Sequence, residues 1–107
     1  MNQLLLATLE QASVDQLEFE SKILKNHIGR SEQRTGYRLV RVGGVPIPEA
    51  IGLSYVVGQA QNGEPFFYVV ARLDDVGNEP RVFDVESVAA AKRAVLAELK
   101  AQLMVAR

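Results

Sequence analysis

One histidine, His27, and no cysteine bound the chemistry open to this chain. Without a thiol there is no thiolate nucleophile, no disulfide and no zinc site that needs sulfur. A Ser-His-Asp triad or a histidine metal site would rest on His27 alone. Carboxylates stand close together twice, Glu18 with Glu20 and Asp74 with Asp75. Adjacent or alternating side chains diverge, so neither pair supplies the facing acid and base of glycosidic cleavage. Gly43-Gly44 and Gly52 belong to no phosphate-binding pattern, and no GxSxG elbow is present. The residues thus point away from an enzyme, with no catalytic residue, no metal, no cofactor and no small-molecule substrate evident.

Binding chemistry is better represented. The net charge is −1, but the charges are unevenly spread. Between Lys22 and Arg41 stand Lys22, Lys25, Arg30, Arg34, Arg38 and Arg41, with His27, against Glu32 alone. Between Glu64 and Glu86 the acids Glu64, Asp74, Asp75, Glu79, Asp84 and Glu86 outnumber Arg72 and Arg81. The basic stretch offers Arg30, Arg34, Arg38 and Arg41 as a set able to neutralise phosphates, and opposed patches can also steer a protein partner.

These residues must be positioned by a small number of elements. At 107 residues, 48% hydrophobic and 23% charged, the chain suits one ordinary globular domain. Residues 3 to 12 read as a short helix. Ser13 followed by Gln16 has the form of a capping box, which predicts a second helix from Val14 to a C-cap at Gly29. On that helix Val14, Leu17, Ser21, Leu24 and Ile28 share one face, while Phe19 and Ile23 lie nearly opposite. It would either sit between two layers of its own core or present Phe19 and Ile23 to a partner. Leu17-Glu18-Phe19-Glu20 also reads as a short alternating strand. Tyr37 to Val42 is strand-like, and Gly43 to Pro48, with two prolines lacking amide donors, is a loop or an edge.

Asn62-Gly63 between two apolar runs is a strong hairpin signal. It predicts strands over Ile51 to Gln61 and Glu64 to Leu73, with Gln61 opposite Glu64. That register puts Leu53, Tyr55, Val57 and Gln59 on one face with Phe66, Tyr68, Val70 and Arg72. The other face, with Ser54, Val56, Gly58, Ala60, Pro65, Phe67, Val69 and Ala71, is smaller and suits close approach of a helix, with Phe67 packed over Gly58. Asp74 to Asn78 is a turn, and Arg81 to Phe83 a last strand. Asp84 is the expected cap of a final helix whose buried stripe is Val88, Ala91, Val95, Leu96, Leu99 and Leu103. The expected architecture is α+β: a helical part over 1–29, an antiparallel meander of three to four strands over 37–83, and a helix over 85–105 packed on the sheet.

Two likenesses sit in the C-terminal half. Phe67 to Leu73, ahead of a helix containing Ala89-Ala90-Ala91-Lys92-Arg93-Ala94, is loosely similar to a double-stranded-RNA-binding domain. The final helix here opens on Asp84 and Glu86, however, which would repel phosphates. The strands followed by Val82-Phe83-Asp84-Val85-Glu86-Ser87 also look somewhat like the AP2-type arm-binding domain of phage integrases. Those sheets carry several basic residues, where the two strands of this hairpin have only Arg72. Both likenesses are architectural and assign no family.

The leading expectation is a small non-catalytic protein that occupies a partner's surface as adaptor, inhibitor or accessory subunit, self-associating as a homodimer or held in a complex. Its contact residues would be Phe19, Ile23, Tyr55, Phe66, Tyr68 and Arg72. The alternative is a nucleic-acid-binding module that uses the basic segment and the aromatic sheet face. Leu4-Leu5-Leu6 lacks the flanks of a signal peptide and no run is long enough to span a membrane, so a cytoplasmic location is expected.

Overall fold

A helix, α1 (Gln3–Glu10), opens the computed structural model, which describes residues 3–24, 34–48, 51–60, 62–72 and 81–104. Leu5 and Leu9, one turn apart, are its fully buried residues and enter the core. After it the chain departs from the expected second helix. Gln16 does reach back, its Oε1 accepting from the Ser13 amide at 3.0 Å, but the helical turn ends there, at Val14–Gln16. Strand β1 (Leu17–Leu24) comes next. The reason lies in the period: Leu17 and Phe19 alternate with Glu18 and Glu20, and on a helix this pattern would leave apolar residues on two opposed faces. A strand puts Leu17 and Phe19 together on one side.

The remaining elements are β2 (Arg34–Val42), β3 (Val45–Pro46), β4 (Gly52–Gln59), β5 (Pro65–Arg72), β6 (Arg81–Val85) and α2 (Val88–Met104). Among the described residues every strand pairing is antiparallel, in the order β1-β2-β4-β5-β6, with the short β3 also on β2. The architecture is α+β, with an N-terminal helix and a C-terminal helix packed on the sheet and more strands than the three to four expected. No helix among the described residues is long and apolar enough to cross a membrane.

Two local devices set the registers. Val42 and Val45 are joined by Gly43 and Gly44 at φ +55° and +80°, the positive angles of a tight hairpin turn. Upstream, the pairing shifts between Glu18↔Arg41 and Phe19↔Leu39, so Val40 is an extra residue in β2. This bulge lets Leu39 and Val42, three apart, both face the core, at 1% and 0% exposure. The Val40 carbonyl accepts instead from the Ile47 amide at 3.1 Å.

At the central hairpin Ala60 opposes Glu64, with Ala60 N to Glu64 O at 2.8 Å and Gly63 N to Ala60 O at 2.9 Å. The strands therefore join between Ala60 and Glu64, with Gly63 at φ +87°. The expected two-residue turn is corrected by one residue, and a one-residue slip exchanges the faces of one strand against the other. Tyr55 now opposes Val69, and Gly58 opposes Phe66.

α2 buries Ala91, Val95, Leu96, Leu99 and Leu103 against Leu53, Tyr55, Val69 and Ala71, joined by Leu5, Leu9, Leu39 and Val42. Its cap is not Asp84, which lies in β6, but Ser87, whose Oγ accepts from the Ala90 amide at 3.0 Å.

Candidate functional site on the open sheet face

Both helices pack on one side of the sheet, and the strand registers identify the residues on the other. One row across that second face runs Glu20, Arg38, Ser54, Val70, Val82; the next runs Lys22, Gly36, Val56, Tyr68, Asp84; a third runs Arg34, Gly58, Phe66. Here the two sets of residues singled out from sequence, the aromatics and the arginines, meet. Arg34 on β2 and Phe66 on β5 flank Gly58 on β4 and come together over it, with the guanidinium carbon 5.3 Å from the ring centroid. Arg34 Nη1 also donates to the Tyr68 hydroxyl at 3.3 Å. The Phe66 and Tyr68 rings lie nearly parallel, 3° apart in plane and 6.2 Å between centroids.

Gly58 makes this possible. A Cβ there would stand 2.6 Å from Phe66 Cε2 and 2.7 Å from Cε1, so the ring closes over a gap only glycine leaves. The ring occupying that gap is Phe66, not Phe67, which stands opposite Val57. Gly36, diagonal to Gly58, also lacks a side chain, and Val56 opposite it is buried at 3% exposure. Sequence reasoning set the wrong ring over Gly58 and passed over Gly36. Its signal would have been a glycine inside the run Arg34 to Val42, since a glycine within a strand marks close approach by another group.

The other expected contact residues divide. Tyr55 is on the helix side and 4% exposed, so it leaves the aromatic face. It stacks on Tyr37 at 4.7 Å and takes the edge of Phe19 at 5.0 Å, which makes Phe19 a half-buried part of the core's margin rather than a docking residue on a helix. Burial, and secondarily charge repulsion from neighbouring Tyr37, hold the Tyr55 phenol above the usual tyrosine value. Ile23 holds the register position opposite Thr35, and Arg72 the one opposite Gly52; their side chains lie outside the described residues. Arg38 is exposed on the open face, four residues along β2 from Arg34. Arg41 is engaged by Glu18 at 3.4 Å, while the other Glu18 oxygen accepts from the Gly44 amide at 3.2 Å. His27, Gly29, Arg30 and the expected turn from Asp74 to Asn78 lie outside the described residues. No group of three or more metal-ligating side chains occurs among those described.

This face therefore combines two parallel aromatic rings, an arginine set over the Phe66 ring and hydrogen-bonded to the Tyr68 hydroxyl, and the further cations Arg38 and Lys22, with the acids Glu20 and Asp84 at its margins. Such an arrangement can stack planar groups and neutralise anions. Searches of protein-family models, curated proteins and solved structures find no match to this chain. Its class is thus defined by architecture alone: an α+β protein whose antiparallel sheet carries helices on one side and a cationic-aromatic face on the other.

Proposed function

We propose that the protein is a non-catalytic binding module whose working surface is the open sheet face, and that its ligand is single-stranded nucleic acid. The observation that carries the reading is Arg34 spanning Phe66 and Tyr68, with Arg38 on the same strand and face. Bases stack on aromatic rings whatever their sequence, at about 1–3 kcal/mol per base, and arginines track the phosphates between them. The surface-occupying protein favoured from the sequence drew on Phe19 and Ile23 projecting from a helix, and on Tyr55, Phe66, Tyr68 and Arg72. That helix is a strand, and Tyr55 is buried. A protein partner keeps Phe66 and Tyr68 as supporting residues, together with Val82, which at 58% exposure adjoins Val70 on the same face.

The test is fluorescence anisotropy of labelled oligothymidine and duplex DNA across a salt series. Binding of the single strand is expected, weakening as salt rises because bound counterions are released. Arg38→Ala should lower affinity alike for every sequence and flatten the salt slope by roughly one unit. No binding of either oligonucleotide at low salt would refute the reading.

A further inference from the structure

The outer edge of β1 carries an independent inference. β1 ends the strand order, and among the described residues no strand pairs with its far side. Eight residues long, it contains no proline, and the extra residue of the neighbouring bulge lies in β2 rather than in β1. The sheet's other edge, β6, has five residues. A long regular edge is a template for another strand, since half its amides and carbonyls face outward.

Its sequence is complementary to itself. If two β1 strands pair antiparallel about Ser21, Glu20 of each copy falls opposite Lys22 of the other, and Phe19 falls opposite position Ile23. Glu20, Ser21 and Lys22 are all exposed. The two ion pairs lie on the open face and the Phe19 contact on the helix side, so each face of the joined sheet meets its own kind. A centre at Lys22 sets Lys22 against itself, and a centre at Glu20 pairs Glu18 with Lys22 but sets Glu20 against itself, so the Ser21 centre is the one of the three that has ion pairs and no like-charge pair.

We infer that the protein self-associates as a twofold dimer through β1, centred on Ser21, to give one continuous antiparallel sheet across both copies. The dimer is isologous, as closed two-copy assemblies are. It also sets the two open faces side by side on the same surface of that sheet. The inference stands whether or not that face binds nucleic acid.

Light scattering after size exclusion, over a dilution series, tests it on the full chain. The wild-type protein is expected at twice its 11.8 kDa mass at high concentration. Glu20→Lys alone, or Lys22→Glu alone, puts like charges at both cross-strand positions and should weaken association by roughly ten-fold or more. The double variant inverts both pairs and should restore it. Thermal melting of each variant separates loss of the dimer from loss of the fold. Because the chain has no cysteine, Ser21→Cys supplies a unique probe. Residues opposite one another at such a centre have Cα atoms about 4.5–5.5 Å apart, within the range a disulfide spans, so mild oxidation should link the two copies. A monomer at every concentration would overturn the inference. So would a dimer that neither single reversal weakens and Ser21→Cys does not link.

Discussion

Replacing Gly58 by alanine should unseat Phe66, and the size of the effect comes from the geometry. The added methyl would lie 2.6–2.7 Å from two ring carbons, and closer still to Cζ. Carbon atoms rest at about 3.5–4.0 Å, so the ring must retreat by roughly 1 Å. Overpacking of this kind costs about 1–3 kcal/mol. Alanine returns about 0.5–1 kcal/mol, because it leaves the unfolded chain less conformational freedom to lose than glycine does. The net loss lies between about 0 and 2.5 kcal/mol, a midpoint shift of up to roughly 1 M in urea denaturation. The control is Phe66→Ala: with the ring gone, Gly58→Ala should be neutral or slightly stabilising, and the double-mutant cycle should return a coupling of about 1–3 kcal/mol. Equal destabilisation with and without the ring would refute the reasoning, because the loss would then owe nothing to Phe66.

Three further outcomes are expected. Gly44→Ala should destabilise by about 1 kcal/mol through its positive φ alone, since no atom lies within 4 Å of the added Cβ, and Gly44→Asn should be milder; thermal melts compare them. Ser87→Ala should lose about 1 kcal/mol with the cap of α2, and Asp84→Ala much less, as urea midpoints will show. The Tyr55 phenol keeps its proton more tightly when folded than at its unfolded value of 10.0, so its contribution is full below pH 10 and is lost as pH rises above it; Tyr55→Phe should reduce that alkaline loss in denaturation curves on either side of pH 10.

The C-terminal half was legible because its signals are local. The apolar spacing of α2 marks its buried face, and Asn62-Gly63 marks the hairpin. Register was less accessible. Whether Asn62-Gly63 forms the whole turn or only part of a longer one changes no residue's propensity, yet it decides whether Tyr55 shares a face with Phe66. Steric size holds the missing information: opposite Gly58, the aromatic Phe66 fills a gap that Phe67 cannot reach from the other face. The error at β1 has a different cause. Ser13 and Gln16 do make a capping box, but a cap starts a helix without extending it, and two-fold alternation governs the residues from Leu17 onward. The arginines and aromatics of the candidate site were visible one by one. Pairing across three strands brings Arg34 onto Phe66, a long-range feature without a local signature.

The most direct test of the central claim is the aromatic proton spectrum during titration with oligothymidine. Stacked bases shift the protons of the rings they cover. The Phe66 and Tyr68 resonances are expected to move with added oligonucleotide, while those of Tyr37, Tyr55 and Phe19, on the helix side, stay in place. Movement confined to the helix-side rings, or saturable binding that leaves Phe66 and Tyr68 unmoved, would contradict the claim.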